Sequence, residues 1–440
     1  MMIRNIFLEK FVLPIGDAIF NGNFSKKLKY WRKFKDYSES DLEHYQEEKL
    51  RSQLEFAIQN VNRYKHISYS SVETTAQLLS KFPILTKDFL RENPNELKVK
   101  TKQKTTRVYS SGSTGVSTYV EMSTNDLTSL QALQYHLWEL CGYKIGDSVF
   151  QTGISPNRTF FKKLKDVFLG AIYIPAFALT QRDLEFICNK LTKKNKYTLI
   201  GYPSSINVIA AYVFEKNLKV SAKRVIGLGD TLFPHYKKNI EKAFCCAVFE
   251  TYGASEGFQI GFQVDLDFMY LFTPQVYLEL LDDNNNPVKD GEIGNVVVTR
   301  LDNKQMPLIR YRIGDLAIKL PREKYPKYRK FNFPLLEKVI GRNTDIVVLP
   351  DNRKMIVHSF TGIFEYIDEI KQFKIIQKDR KGITIQYIPS KNFTKKILDI
   401  VKQKLQEHIL DDNFLIDFVE VTLIKSSKSG KPQIIESFLK

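Results

Sequence analysis

Between about residues 125 and 260, strand-like and helix-like patterns alternate, and this restricts the fold more than any other feature of the 440-residue chain. Short apolar runs read as strands: Ser148 to Gln151, Gly170 to Ile174, Tyr197 to Ile200, Val225 to Leu228 and Ala247 to Glu250. Between them, Asn125 to Leu140, Ser204 to Lys216 and Pro234 to Phe244 carry apolar residues at helical spacing. Strands separated by helices pair in parallel, because the crossover helix carries the chain back to the same edge of the sheet. The sequence therefore predicts an α/β fold with a parallel sheet, whose ligands bind at the carboxyl ends of the strands.

The flanking regions read differently. Residues 39 to 65 predict a helix capped by Ser40, with Leu42, Tyr45, Leu50, Leu54, Phe56 and Ala57 on its apolar face. Residues 106 to 122 predict strand, tight loop, strand. After residue 265 the texture is β-rich: Tyr277 to Leu281 and Asn295 to Thr299 flank the turn-rich stretch Asp282 to Pro287. Past residue 342 the pattern resets to a hairpin (Ile346 to Leu349, Lys354 to Val357), a helix (Thr394 to Glu407) and a strand (Val419 to Ile424). The expected organisation is an N-terminal amphipathic segment at 1–38, a large N-terminal domain with a β-rich subdomain at 39–342, and a small mobile α+β domain at 343–440.

No apolar run of 18 residues occurs, so no transmembrane helix is expected. The first twenty residues place Ile3, Ile6, Phe7, Val12 and Ile15 at roughly helical spacing, interrupted by Arg4, Glu9, Lys10 and Asp17. They lack the uninterrupted apolar stretch and cleavage site of a signal peptide. Two readings stand: a helix packed on the body, or one resting on a membrane surface. The four cysteines, Cys141, Cys188, Cys245 and Cys246, show no metal-ligand spacing. Adjacent Cys245 and Cys246 read as buried strand residues, and the whole pattern suits a reducing cytoplasm, with the inner face of the membrane as an option. The formal net charge of +17 is spread over small lysine clusters. It favours anionic partners in general. No RNA-binding signature accompanies it, so no nucleic-acid partner is expected.

Five short motifs carry candidate chemistry. Ser110-Ser111-Gly112-Ser113-Thr114-Gly115 combines glycines that admit close backbone approach with hydroxyl donors, which suits phosphate. Alone it reads equally as a surface turn. Glu250-Thr251-Tyr252-Gly253-Ala254-Ser255-Glu256-Gly257 follows an apolar strand, offering a ring for a base and a carboxylate for Mg2+. In Arg310-Tyr311-Arg312-Ile313-Gly314-Asp315, the final carboxylate can accept hydrogen bonds from ribose hydroxyls. Gly341-Arg342-Asn343-Thr344-Asp345 stands where the texture resets, and Ser429-Gly430-Lys431 near the end. Each has a bland reading as a turn, a surface ion pair or a solvated tail.

In this order, the motifs resemble the adenylate-forming superfamily of acyl-CoA synthetases, peptide-synthetase adenylation domains and luciferases. The nearer resemblance is to its phenylacetate–CoA ligase-like branch, which includes capsular polysaccharide biosynthesis proteins of that type. Gly142-Tyr143-Lys144-Ile145-Gly146-Asp147, Gly201-Tyr202-Pro203-Ser204-Ser205 and Gly229-Asp230 also fit that branch. The resemblance implies an AMP-forming ligase that activates a carboxylic acid with ATP and Mg2+ and transfers the acyl group to an amine or thiol. On its terms Ser110 to Gly115 hold the ATP phosphates, with Thr114 close to the chemistry. Gly229 and Tyr252 flank the adenine, with Asp230 and Gly253 also in the nucleotide site; Glu256 binds Mg2+, Asp315 holds the ribose, and Arg342 lies near ribose and phosphate. Lys431 bridges the acyl carboxylate and the α-phosphate from a C-terminal domain that rotates near Thr344. His136, Tyr202, Ser204, Gly253 and Ala254 belong to the acid pocket.

Three departures bear on function. Val116 and Ser117 stand where a lysine and a proline usually follow the phosphate loop. Thr344 stands at a hinge that is commonly Asp or Lys. Leu349-Pro350-Asp351-Asn352-Arg353 replaces the glycine-bearing stretch that lines a CoA tunnel, which weakens the case for CoA and leaves an amine on an amino acid, sugar or glycan precursor as the other acceptor. The competing class is a non-catalytic nucleotide- or polyanion-binding protein.

Overall fold

The computed structural model describes all residues except 1, 20–21, 102, 111–117, 154–165, 167–169, 176–178, 193–195, 343–345, 352, 365–366, 368, 425–432 and 440. The chain opens with α1 (Met2–Phe7), a π-helical turn (Leu8–Val12) and α2 (Leu13–Ile19), then α3 (Phe24–Arg32) and α4 (Glu39–Asn60). Short helices α5 (Thr75–Ser80) and α6 (Lys87–Glu92) lead into a hairpin of β1 (Thr105–Ser110) and β2 (Thr118–Ser123), followed by α7 (Thr124–Leu140). The α/β region is β3 (Ser148–Gly153), β4 (Ala171–Pro175), α8 (Gln181–Leu191), β5 (Tyr197–Gly201), α9 (Pro203–Glu215), β6 (Arg224–Gly227), α10 (Pro234–Phe244) and β7 (Val248–Ala254). The β-rich region is β8 (Phe258–Gln263), β9 (Met269–Leu271), β10 (Val276–Leu281), β11 (Ile293–Arg300), β12 (Tyr311–Lys319) and β13 (Leu335–Arg342).

These strands make one 11-stranded sheet, ordered β10-β11-β12-β13-β9-β8-β7-β6-β5-β3-β4. From β7 to β4 every neighbour is parallel, as the alternation predicts. Successive side chains along these strands point to opposite faces, so alternate residues enter two different cores. Val149, Ile200 and Ile226 join the core beneath α3 and α7. Phe150, Leu199 and Val225 join the core beneath α8, α9 and α10. Both faces are covered, so the strands read as nearly continuous apolar runs. A further core joins α4 and α5 to β10, β11 and β12.

Beyond β13, hairpin β14 (Ile346–Val348) and β15 (Lys354–Ile356) precedes α11 (Val357–Phe364). Then β16 (Ile370–Asp379), β17 (Gly382–Pro389), α12 (Lys396–Ile409), β18 (Leu415–Glu420) and β19 (Ile435–Ser437) form a four-stranded sheet ordered β18-β17-β16-β19. Its core is its own, with Phe233 and Tyr236 of the larger part packed against it.

Several expectations shift. The long helix is capped by Ser38, not Ser40. The Ser38 hydroxyl accepts from the Asp41 N–H at 3.1 Å and the Asp41 carboxylate accepts from the Ser38 N–H, closing a reciprocal cap that contributes about 1 kcal/mol. Cys245 and Cys246 are not buried strand residues: Cys245 is the exposed, left-handed cap of α10 and Cys246 is half-buried. The strand expected at Val419 to Ile424 lies earlier, at Leu415–Glu420, where its pairing with β17 sets its bounds. Within segment 1–38, Leu28, Trp31 and Phe34 are buried in the core with α7, and the Trp31 indole donates to the Ser129 carbonyl at 3.0 Å.

Candidate active site

The carboxyl ends of β3, β5, β6 and β7 meet at one rim. Ile200 pairs with Gln151 and Ile226, and Gly227 pairs with Gly201 and Glu250. The chain crosses this rim at close quarters. A Cβ on Gly201 would lie 1.8 Å from the Thr152 hydroxyl, which accepts the Tyr202 N–H at 2.9 Å. Gly229 has φ +83° and a Cβ there would come within 2.7 Å of the Tyr202 ring, so only glycine lets the loop lie across that ring. Next to it, the Ser204 hydroxyl donates to the Asp230 carboxylate. Gly229, Asp230, Tyr202 and Ser204 are thus one cluster.

On the neighbouring strand, the Glu250 carboxylate accepts the Leu232 N–H at 3.3 Å. Burial, reinforced by the negative Asp230, pushes its carboxyl up to about 7. Folding therefore favours its protonated form. That stabilisation is complete below the ordinary value of 4.5 and is lost as pH rises through about 7. We expect Glu250→Gln to flatten the fall in melting temperature between pH 5 and 8, a difference on the order of 2 kcal/mol. Parallel melting curves of the two proteins at several pH values would check this, and identical pH dependence would contradict it.

Two hydrogen bonds join motifs that are distant in sequence. The Tyr252 hydroxyl donates to Asp315 Oδ2 at 2.9 Å, and burial with this negative neighbour keeps the phenol protonated. The Tyr311 hydroxyl donates to Glu256 Oε1 at 2.9 Å, with Glu256 only 5% exposed. The pairing of β7 with β8 shifts register between Tyr252 and Gly253, a bulge of the kind that re-aims side chains beside sites. Gly253 is exposed there and Ala254 half-buried. Asp315 and Arg342 are paired in the backbone register of β12 and β13.

A residue absent from the sequence motifs completes this group. Lys87 Nζ stands 3.5 Å from Glu256 Oε1. Its position follows from the backbone. The Leu85 N–H donates to the Arg310 carbonyl and the Leu85 carbonyl accepts the Arg312 N–H, both at 2.9 Å, clamping the segment beside Tyr311. Thr86 then caps α6, with Lys87 as its first residue. The only local signal was the Thr-Lys pair before a short amphipathic run. It looks like any helix start, so sequence reasoning passed over Lys87.

The other sequence-predicted residues divide into two groups. Ser110 ends β1, opposite Thr118. Ser111, Gly112, Ser113, Thr114, Gly115, Thr344 and Lys431 lie outside the described residues. His136 sits on α7, its ring 6.0 Å from that of Phe272 and its Nδ1 3.6 Å from Glu139, which also binds Arg32 of α3. Burial lowers its pKa, against the opposing pull of Glu139. His136 is thus held on a packed helix face, its ring beside Phe272 and Glu139.

Among the described residues no three His, Cys, Asp or Glu side chains converge as a metal site. Glu256 supplies a single buried carboxylate, held by the Tyr311 hydroxyl. That suits Mg2+, which binds through one or two carboxylates plus substrate phosphates rather than in an all-protein cage.

No protein-family model matches the chain. It is 26% identical to Protein CapK of Staphylococcus aureus over 97% of its own length and 96% of that protein's. It is 24% identical to phenylacetate-coenzyme A ligase of Pseudomonas putida over 75% of its length and 76% of the relative's. Among solved structures, 2-hydroxyisobutyryl-CoA ligase in the postadenylation state, in complex with 2-HIB-AMP, superposes with a TM-score of 0.73 at 17% identity, covering 92% of this chain and 91% of that one. Fold and motifs together therefore define an adenylate-forming enzyme, an AMP-forming carboxylate ligase. The chain is similar to the phenylacetate–CoA ligase-like branch of that superfamily and, over nearly its whole length, to CapK.

Proposed function

We propose that the protein activates a carboxylic acid with ATP in the presence of Mg2+ and passes the acyl group to an amine of an amino acid, sugar or glycan precursor, with CoA as the alternative acceptor. A carboxylate oxygen attacks the α-phosphorus, pyrophosphate leaves, and an acyl-adenylate forms. The acceptor nitrogen then attacks the acyl carbon, loses a proton and releases AMP. The observation that carries this reading is the joining of Tyr252 to Asp315 and of Glu256 to Tyr311 and Lys87 beside the carboxyl rim of the sheet.

In this reading Gly229 and Tyr252 flank the adenine, with Asp230 and Gly253 beside them. Asp315, held by the Tyr252 hydroxyl, accepts from the ribose, and Arg342 approaches the same sugar. Glu256 holds Mg2+, which when bound would neutralise phosphate charge. Residues Ser110 to Gly115 cradle the phosphates, with Thr114 donating near the leaving group. Tyr202, Ser204 and Ala254 border the acid. Lys431 meets the charge that builds between carboxylate and α-phosphate, carried there by rotation of residues 343–440 about Thr344. The relative 2-hydroxyisobutyryl-CoA ligase has been captured in both postadenylation and thioesterification states, which supports such alternation.

The stretch that departs from CoA ligases supports an amine acceptor. Leu349 N–H bonds the Arg353 carbonyl at 2.9 Å, closing a hairpin turn, and the Arg353 guanidinium caps α12 through the His408 carbonyl at 3.1 Å. The resemblance to capsular polysaccharide biosynthesis members of the branch supports a role in surface polysaccharide assembly. The test is acid-dependent ATP–pyrophosphate exchange across an acid panel, followed by AMP release with CoA against amino acids and amino sugars. ATP binding without exchange on any acid would favour a non-catalytic nucleotide-binding protein.

Lys87 offers a more specific test. With Val116 where the branch usually places a lysine, Lys87 becomes a cation for the departing pyrophosphate. Lys87→Met is expected to raise the KM for ATP about tenfold, equivalent to ~1.4 kcal/mol, with the KM for the acid unchanged. Lys87→Arg should recover most of the loss. Equal effects on both KM values would mean the lysine only steadies Glu256.

A further inference from the structure

The segment Met2–Ile19 is continuously helical and is fixed to the body along one side. Leu8 is buried, and the Asn5 amide donates to Asp147 at 3.0 Å. Asp147 is in turn held by Lys223 at 2.8 Å and by Arg224 at 3.2 Å. Glu9 pairs with Arg32, and the Asp17 carboxylate accepts the N–H groups of Phe24 at 3.0 Å and Ser25 at 2.7 Å. The helix is therefore part of the folded body.

Its opposite side is apolar and uncovered. Phe7, Phe11, Ile15 and Ile19 follow one another at four-residue spacing and are 56%, 54%, 56% and 70% exposed, with Ile6 beside them at 44%. The Phe7 and Phe11 rings stack at 5.7 Å. Residues at i and i+4 share a helix face, so this is one stripe about 18 Å long. A stripe of this kind costs free energy in water unless something covers it.

The charge around it selects the cover. The first 35 residues hold eight basic side chains and two acidic ones, and both acids, Glu9 and Asp17, already have partners. Lys10, Lys26, Lys29, Lys33 and Lys35 are exposed. An apolar helix face within a basic stretch of the chain, on a protein of net charge +17, matches an anionic lipid surface. No described helix is long and apolar enough to cross a membrane, so the contact is interfacial.

We infer that the exposed face of residues 6–19 docks the folded enzyme onto an anionic bilayer surface, the two phenylalanines and two isoleucines entering the acyl boundary while the lysines meet lipid headgroups. The inference is independent of the acid and acceptor proposed above. The test is flotation of the full-length protein with vesicles of phosphatidylglycerol and phosphatidylcholine, or of phosphatidylcholine alone. Binding should require phosphatidylglycerol, weaken with salt, and fall at least tenfold in Phe7→Ser/Phe11→Ser. That variant should keep the wild-type melting temperature and ATP–pyrophosphate exchange, since neither ring is in the site. Equal flotation of wild type and variant, or none on pure phosphatidylglycerol, would overturn the inference. So would sedimentation showing that the stripe joins two copies of the chain, with the variant monomeric and neither form bound to vesicles.

Discussion

Glu256→Gln is expected to lower acid-dependent ATP–pyrophosphate exchange by about 10²–10³-fold, a loss of ~3–4 kcal/mol of transition-state stabilisation. The side chain is 5% exposed and keeps its shape in the variant, so the amide oxygen can still accept from the Tyr311 hydroxyl. Only the charge disappears. A buried carboxylate with a tyrosine hydroxyl at 2.9 Å and an ammonium at 3.5 Å is already partly neutralised. An additional cation is held there only in company with phosphate oxygens, so the loss should be larger at low Mg2+ and partly recovered by raising it. Exchange measured across a Mg2+ series, beside a melting curve showing an intact fold, decides the matter. If the variant turns over at the wild-type rate at every Mg2+ concentration, Glu256 is a structural anchor for Tyr311 and no metal residue.

Lys431→Ala is expected to cost about as much, but in one half-reaction only. During adenylation, negative charge concentrates between the acid's oxygen and the α-phosphate, and a positioned cation there acts where bulk water would otherwise have to reorganise. Once the acyl-adenylate exists, that charge has been redistributed and the lysine has little left to stabilise. Pyrophosphate exchange should fall about 10²–10³-fold, while acyl transfer from chemically prepared acyl-adenylate changes only a few-fold. Lys431→Arg should restore part of the first rate, since the charge survives and its geometry does not. Equal losses in both half-reactions would show that the residue supports the C-terminal part as a whole.

The parallel part of the sheet was legible because its strands are covered on both faces. Two-sided burial leaves continuous apolar runs such as Tyr197 to Ile200, and each is found as a strand. The helix expected at Pro234 to Phe244 is found with those bounds, because a proline opens it and a left-handed residue ends it. The misread places are those where the local signal was shared by two structures. Ser38 and Ser40 both offer a capping hydroxyl, and only the reciprocal bond with Asp41 separates them. The cysteine pair looked like strand because the apolar stretch runs through the end of one helix into the next strand.

From residue order alone came the family resemblance, the α/β architecture, and Tyr252, Glu256 and Asp315 as site candidates, since these rest on local periodicity and on motif order. The tertiary structure alone decided that Tyr252 grips Asp315, 63 residues away, and that Tyr311 grips Glu256, 55 residues away. It brought Lys87 to that carboxylate, and it separated the two faces of the first helix into one pinned by Asp147 and one left bare. The reason is common to all four. Such contacts depend on which strands are neighbours, in what register, and on which side of a helix the body lies. Periodicity along the chain carries no record of any of these.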